Sequence, residues 1–245
     1  MLYALCSMRS LSSIRPYLDL CRVSNLPTVW TNVLAALVLS GGSFSWPSFF
    51  ILVASLSLFY SGGMCLNDLF DAQVDQMSKP FRPIPSGRIS IKKARIFAVI
   101  LFGIGLVLLL FVPHPKSVFA GFLLVAIIVI YDRIHKRHPF TAILMAACRL
   151  MVFVISGIAV AGEVRSAVAL AGFLQFVYIL ILTLVSRYEN RIRGKSSFPL
   201  IPWMLAGISS LDGILMAALA SPAWFVAGLA GVGLTRFGQK YVIGD

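Results

Sequence analysis

The sequence predicts an all-α, polytopic membrane protein, a bundle of about eight transmembrane helices with a ninth possible. Hydrophobic residues make up 59% of the 245 residues, charged residues only 12%, and the mean hydropathy is +0.90. In soluble domains about a quarter of the residues are charged. Apolar runs recur along the whole chain, which favours a membrane bundle over a soluble domain with one anchor. We therefore expect a single domain, residues 1–245, in which residues 1–20 form a cytoplasmic lead-in.

Eight apolar segments are predicted to span the membrane. Several of them lie near the lower limit of about 17 residues for a crossing helix. The segments are 26–42, 47–66, 95–112, 117–131, 140–161, 166–185, 198–219 and 222–236. An even number of spans places both termini on the same side of the membrane.

The net charge of +12 reflects membrane topology rather than nucleic-acid binding. Basic residues cluster in alternate connections, whereas the opposite connections contain only Lys116 and Arg165. An excess of Lys and Arg marks the cytoplasmic side of a membrane protein. We therefore expect an integral protein of a bacterial inner membrane, with both termini and the connection after the second span in the cytoplasm. Membrane lipid is an expected partner and nucleic acid is not; the oligomeric state stays open.

The segment after the second span carries most of the functional information. It reads Asn-Asp-Leu-Phe-Asp-Ala-Gln-Val-Asp from Asn67 and holds three of the nine acidic residues. If the helix continues, Asp68, Asp71 and Asp75 lie at i, i+3 and i+7 on one face, and Asn67 borders it. Carboxylates so close repel one another unless cations lie between them. Hard oxygen ligands with open positions suit Mg²⁺ bound to a diphosphate, so the pattern predicts such a site.

Basic and polar residues near this motif are candidates for the outer phosphate oxygens. Lys79 and Arg82 follow the aspartates directly, and charge-assisted hydrogen bonds from such residues suit phosphate. Arg22, Asn25 and Asn32 share one face at the start of the first span. Helix capping and a snorkelling arginine would also explain Arg22 and Asn25, but they leave Asn32 unexplained.

Two charged residues are predicted inside spans. Arg149 lies in the fifth span and Asp212 in the seventh, where each charge costs about 2.5–3.5 kcal/mol on insertion scales. Pairing would neutralise both, so the pattern favours a buried ion pair that locks two helices together. The alternative is a role in shaping or polarising an acceptor pocket.

The aspartate motif, followed by Arg-Pro-Ile-Pro-Ser-Gly-Arg at residues 82–88, resembles the UbiA superfamily of intramembrane prenyltransferases. The likeness extends from about Arg22 to the end of the chain, and residues 22–28 and 147–149 are most similar to poorly specified bacterial branches, including the EboC-like proteins. It implies a helical bundle that uses Mg²⁺ to transfer a prenyl group from an isoprenyl diphosphate to a lipophilic acceptor. Aromatic, quinone-precursor-like acceptors are the commonest; glycerol-phosphate lipids, tetrapyrroles and sugars are alternatives.

The resemblance also implies roles for individual residues. The predicted catalytic residues are Asp68, Asp71, Asp75, Lys79 and Arg82. The predicted metal ligands are Asn67, Asp68, Asp71, Asp75 and Glu189. The predicted ligands of the substrate diphosphate are Arg22, Asn25, Lys79, Arg82, Tyr131, Lys136 and Arg187.

Three departures from the family pattern qualify these roles. The second motif, usually Asp-x-x-x-Asp, is Ser-Arg-Tyr-Glu-Asn at residues 186–190, so Glu189 is its one carboxylate and a second Mg²⁺ is expected to bind weakly or not at all. Arg187 would then supply part of the missing positive charge. The Tyr-x-x-x-Lys element begins at Tyr131 and has His135 at the lysine position, with Lys136 one place later. Two spans, rather than three, follow the second motif.

Two other functions are compatible with parts of the sequence. A non-catalytic protein that binds or transports isoprenoid lipids would keep the first motif and tolerate the altered second one. A CDP-alcohol phosphotransferase also carries spaced aspartates on membrane helices, but its Asp-Gly-x-x-Ala-Arg signature does not fit residues 67–75. Release of pyrophosphate from an allylic diphosphate would distinguish the transferase from both.

Overall fold

The structure, a computed structural model, describes residues 14–42, 44–135, 140–192 and 199–242, with residues 189–192 described through their backbone alone. These residues form helices and connections, without strands, as the sequence predicts. The helices are α1 (residues 14–20), α2 (Leu26–Leu39), α3 (Trp46–Ser78), α4 (Ile91–Leu108), α5 (Ser117–Ile134), α6 (Thr141–Ala161), α7 (Ser166–Ile192), α8 (Leu200–Leu219) and α9 (Phe225–Gly238). Each of the eight predicted spans corresponds to one helix from α2 to α9.

Six of these helices, α3 to α8, are long and apolar enough to cross a membrane. The first and last predicted spans correspond to the two shortest of helices α2 to α9: α2 and α9 have 14 residues each and follow 3₁₀ turns at Val23–Asn25 and Pro222–Trp224. At 1.5 Å per residue, 14 residues rise about 21 Å, which is less than the roughly 30 Å of hydrocarbon in a bilayer. The six long helices support an integral membrane protein, while the orientation of its termini stays a prediction.

Helix α3 is unusually long, and its length positions the aspartate motif. Ser45 caps it by accepting a hydrogen bond from the backbone N–H of Ser48, and Pro47 lies in its first turn. Its 33 residues rise about 50 Å, so one end extends well beyond a bilayer's hydrocarbon core. Residues 64–79 contain neither Gly nor Pro, and Pro80 then prevents the helix from continuing. The three aspartates therefore lie in the C-terminal third of this helix.

The helices pack mainly as neighbours in the sequence, with α2 in the middle. The pairs α3–α4, α6–α7 and α8–α9 share long interfaces, and α2 contacts α3, α6, α8 and α9. Gly213 and Gly228 bring α8 and α9 close together, since a Cβ atom on either would come within 2.8 Å of the other's Cα. Small residues at such crossings are typical of membrane helices. The bundle thus encloses the end of α3 and the centre of α2.

The predicted ion pair between Arg149 and Asp212 is wrong in its geometry, because Asn32 lies between the two charges. Asn32 donates from Nδ2 to both Asp212 oxygens, at 2.9 and 2.7 Å, and accepts from Arg149 Nη1 at 2.9 Å. Thr31 and Gln175 also donate to Asp212, at 2.7 and 2.8 Å. Three neutral donors therefore satisfy the buried carboxylate, and Arg149 interacts with it through Asn32. This arrangement explains why Asn32 is polar at membrane depth.

Replacing Asp212 with Ala is expected to destabilise the protein more than replacing it with Asn. The alanine would leave several buried donors without an acceptor, and each such group costs about 1–3 kcal/mol. Asn keeps one acceptor oxygen, so its effect should be smaller. Thermal unfolding in detergent would measure both, with Glu163→Gln as a control because Glu163 lies on the surface, 71% exposed in its side chain. Equal unfolding temperatures for all three variants would contradict a structural role for the network.

Candidate functional site

The three aspartates of α3 are buried together, and two of them form ion pairs with arginines. Asp68, Asp71 and Asp75 are 2%, 8% and 4% exposed, which confirms their common face. Arg82 donates from Nη1 to Asp68 Oδ1 at 3.2 Å and to Asp75 Oδ2 at 2.6 Å. Arg22 donates from Nη2 to Asp68 Oδ1 at 3.1 Å. The cations beside Asp68 and Asp75 are therefore guanidinium groups.

Arg22 takes this position through an unusual backbone conformation. Its φ of 46° is left-handed, the one such value among the described residues other than glycine. That conformation costs a non-glycine residue roughly 1–2 kcal/mol. It occurs at the turn between α1 and α2, where the side chain turns toward α3 and Asp68. Strained residues of this kind cluster at functional sites, which supports a role for Arg22.

His135 contacts the remaining carboxylate of the motif, that of Asp71. Its Nε2 lies 3.3 Å from Asp71 Oδ1, and its ring stacks on Tyr131 with centroids 5.4 Å apart. The hydrogen bond to Asp71 raises the pKa of His135 above its ordinary value, against the opposing effect of burial. Arg187 Nη2 donates to the His135 carbonyl at 3.1 Å and to Thr141 Oγ1 at 2.5 Å, so it joins α7 to the connection after α5.

Asp132 belongs to this site although the sequence patterns did not single it out. Asn67 Nδ2 donates to Asp132 Oδ1 at 3.1 Å, which links the aspartate motif on α3 to α5. Asp132 is 3% exposed, and its Oδ2 has no hydrogen-bond partner among the described residues. The chain has only nine acidic residues, and an acidic residue at the end of an apolar span is unusual. That position could have identified Asp132 from the sequence.

An apolar cavity extends from this cluster into the bundle. It encloses about 160 Å³ and is bounded by six helices, α2, α3, α5, α6, α7 and α8. Its walls are mainly aliphatic and aromatic, including Leu56, Phe59 and Ile128, and its polar lining includes Arg22 and Asp132. A mostly apolar cavity with a few converging polar groups is the usual form of a ligand site. Arg22 lines this cavity and also pairs with Asp68, so the cavity adjoins the aspartate cluster; Arg149 is a further charged residue of its lining.

The remaining predicted site residues differ in how close they lie to the aspartates. Asn25 donates from Nδ2 to the Tyr60 hydroxyl at 3.3 Å, on the wall of the apolar cavity. Lys79 follows the last residue of α3, and its backbone N–H donates to the Asp75 carbonyl at 2.8 Å. Tyr131 also lines the cavity. Lys136 and the Glu189 side chain lie outside the described residues.

The donor set of this cluster fits Mg²⁺, although the described residues do not form a ready-made chelate. No three acidic, His or Cys side chains in the described ranges are grouped closely enough to hold a metal as they stand. The reason is that Arg22 and Arg82 occupy the carboxylates of Asp68 and Asp75. The oxygens themselves are of the hard type that Mg²⁺ prefers, and Asp132 adds a buried oxygen without a partner.

Comparison with known proteins assigns the chain to a family. The sequence model of the UbiA prenyltransferase family matches residues 27–241. Digeranylgeranylglyceryl phosphate synthase of Methanothermobacter thermautotrophicus is 30% identical over 228 residues, 88% of this chain and 77% of that protein. The synthase of the same name from Sulfolobus acidocaldarius is 36% identical over 120 residues, 49% of this chain and 42% of its own length. The chain therefore belongs to the UbiA prenyltransferase family, and the prediction of a prenyltransferase is confirmed at the level of the family.

Solved structures confirm the fold. A UbiA homologue from Archaeoglobus fulgidus, solved with DMAPP and Mg²⁺, superposes with a TM-score of 0.61 at 19% identity, over 89% of this chain and 86% of that one. A structure described as digeranylgeranylglyceryl phosphate synthase also gives a TM-score of 0.61, at 20% identity over 94% of each chain. The helical arrangement predicted from the resemblance is therefore correct.

Proposed function

We propose that this protein transfers a prenyl group from an isoprenyl diphosphate to a lipophilic acceptor within the membrane, in an Mg²⁺-dependent reaction. The observation that carries this proposal is a cluster of three buried carboxylates and two arginines, one of which, Arg22, also lines an apolar cavity. Such a site suits an amphiphile with a charged diphosphate head and an apolar tail. Bound Mg²⁺ would be held by Asp68, Asp71 and Asp75 with Asn67, and it would stabilise negative charge on the departing diphosphate.

The chemistry follows from the two halves of the site. The bond between C1 of the prenyl group and the diphosphate oxygen breaks, and the electron pair leaves with the diphosphate. The allylic cation that remains is protected from water by apolar walls such as Leu56 and Ile128. An acceptor hydroxyl oxygen then bonds to C1, and the oxonium formed passes its proton to the released diphosphate. Asp132 Oδ2 is available to accept a hydrogen bond from that hydroxyl and orient it.

The arginines have different partners before and after the substrate binds. Arg22 and Arg82 neutralise Asp68 and Asp75 in the absence of a ligand. When these carboxylates bind Mg²⁺, the guanidinium groups become available to the phosphate oxygens, for which their planar donors are well suited. This exchange reconciles the predicted role of Arg22 and Arg82 in phosphate binding with their observed partners. Roles for Lys79, Arg187 and Glu189 at the diphosphate stay predictions.

A phosphate-bearing glycerol lipid is the acceptor class that we favour over an aromatic ring. The supporting observation is the similarity to several proteins named digeranylgeranylglyceryl phosphate synthase, whose product name describes two prenyl groups on a glyceryl phosphate. Transfer to such an acceptor forms an ether and releases pyrophosphate. The acceptor hydroxyl is a weaker nucleophile than an electron-rich ring, so a dry cavity that excludes competing water matters more.

Pyrophosphate release tests the proposal directly. Purified protein in detergent would be incubated with geranylgeranyl diphosphate, Mg²⁺ and either geranylgeranylglyceryl phosphate or 4-hydroxybenzoate. Release that depends on Mg²⁺ and on the glycerol lipid is expected. Release with the aromatic acceptor alone would overturn the acceptor class, and binding of the diphosphate without release under any condition would favour the non-catalytic alternative.

Arg82→Gln is expected to weaken binding of the prenyl diphosphate strongly. Arg82 is buried and contacts two of the motif carboxylates, whereas Lys92 is exposed at the start of α4. Lys92→Gln therefore serves as a matched control for loss of a positive charge near the same end of the bundle. The expected result is a KM for the diphosphate raised about tenfold or more by Arg82→Gln, since one charge-assisted hydrogen bond contributes about 1.5–3 kcal/mol. Equal effects of both substitutions would show that these positive charges serve membrane orientation and that Arg82 has no specific role in binding the diphosphate.

A further inference from the structure

A second cavity lies against the aspartate cluster, between α1 and the connection that follows α3. We name it the arginine cavity; it encloses about 270 Å³. Its charged lining residues are Arg15, Asp19, Arg22, Asp68, Arg82 and Arg88. Four arginines against two aspartates give this lining a net charge of +2. A lining of this composition favours an anion.

Two of the arginines are not part of the aspartate cluster. Arg88 is held by three hydrogen bonds, from Nε to Ser86 Oγ at 3.0 Å, from Nη1 to Asp19 Oδ2 at 3.4 Å and from Nη2 to the Phe81 carbonyl at 2.6 Å. Arg15 is exposed and forms no ion pair with a carboxylate of the described residues. The cavity therefore contains one preorganised guanidinium and one whose charge is uncompensated. Paired guanidinium groups are well suited to a phosphate.

Arg22 lines both the arginine cavity and the apolar cavity. A group bound in the arginine cavity is therefore separated by one side chain from the space where the prenyl group would lie. In the reaction proposed above, Arg22 and Arg82 turn to the diphosphate, so Arg15 and Arg88 are the arginines of this cavity that stay available to a second anion.

We propose that the arginine cavity binds the phosphate monoester of the lipid acceptor, while the hydroxyl of the same molecule reaches past Arg22 toward the apolar cavity. This inference rests on the proposed function, because it specifies how the acceptor of that reaction is recognised. Arg15 and Arg88 are the specificity-determining residues, since they line this cavity without contacting the motif carboxylates. An acceptor without a phosphate would lack this attachment.

Equilibrium binding of radiolabelled geranylgeranylglyceryl phosphate to the purified full-length protein tests the proposal. Arg15→Gln and Arg88→Gln are each expected to raise its Kd at least fivefold. Arg95→Gln, the loss of an exposed arginine on α4, should leave the Kd unchanged. Geranylgeranylglycerol, which lacks the phosphate, should bind weakly and equally to all variants.

The outcomes separate this inference from the proposed function. If the protein prenylates another acceptor but still binds the phosphate lipid through Arg15 and Arg88, the acceptor class fails and the cavity assignment holds. If it prenylates the phosphate lipid and neither substitution alters the Kd, the cavity assignment alone fails. If the two substitutions instead weaken binding of inorganic pyrophosphate and leave the lipid's Kd unchanged, the cavity serves the leaving group and the assignment is overturned. If Arg88→Gln fails to fold, Arg15→Gln still tests the assignment of the cavity, because Arg15 makes no ion pair with the described residues.

Discussion

Replacing Asp71 with Ala is expected to abolish prenyl transfer, by about a thousandfold or more, while the protein still folds. Asp71 is the middle carboxylate of the α3 face and is 8% exposed, and its Oδ1 contacts His135. Its loss removes a hard oxygen ligand from the centre of the proposed Mg²⁺ site, where charge develops on the leaving group. Single-turnover pyrophosphate release at saturating Mg²⁺ would measure the effect. Retention of most activity would remove Asp71 from the proposed metal site.

Substitutions in the altered second motif can be compared with substitutions of Asp71. With one carboxylate at Glu189, that motif is expected to contribute less than the first, so Glu189→Gln should lower activity less than Asp71→Asn. Arg187→Ala should have a severe effect, because Arg187 joins α7 to the carbonyl of His135, the residue that contacts Asp71. Metal titration with a non-hydrolysable prenyl diphosphate should show one tightly bound Mg²⁺ per chain. Two tightly bound ions would mean that Glu189 and its neighbour replace the usual aspartates.

Asp132→Asn is expected to lower kcat about a hundredfold, with little change in the KM for the prenyl diphosphate. Asn67 already donates to one oxygen of Asp132, so an asparagine would keep that bond and present an N–H group in place of the free oxygen. It could then neither orient an acceptor hydroxyl nor stabilise the allylic cation. Removing one preorganised electrostatic group of this kind typically costs about 10²–10³ in kcat.

A structural effect of the Asp132 substitution can be distinguished from a chemical one. Glu163→Gln removes a carboxylate that is 71% exposed and should leave kcat and the unfolding temperature unaltered. Asp132→Asn is nearly the same size as the native residue, so it too should leave the unfolding temperature close to its original value. An unchanged kcat in a folded Asp132→Asn variant would refute the role proposed for Oδ2. A kcat that falls together with a large drop in unfolding temperature would point to a structural role instead.

The sequence alone determined the features that depend on local spacing. The eight apolar segments follow from the length that a membrane requires, and each corresponds to a helix. The common face of Asp68, Asp71 and Asp75 follows from the helical repeat, and the uninterrupted run up to Pro80 keeps them on one helix. The resemblance carried by the same residues gave the correct family. The sequence predicts a first span that runs to residue 42, but α2 ends at Leu39, because Gly41 beyond it adopts a left-handed conformation with a φ of 65° that ends the helix.

The tertiary structure decided which distant residues meet. Arg22 reaches Asp68 across 46 positions, Asn32 lies between Arg149 and Asp212 across 117 and 180 positions, and Asn67 meets Asp132 across 65. Periodicity fixes which face of a helix a residue occupies, but it does not fix which helix that face meets. Those contacts depend on how the helices pack and cross, and on close approaches such as that of α8 and α9. The free oxygen of Asp132 and the cavity shared through Arg22 became visible for the same reason: both are properties of the space between helices.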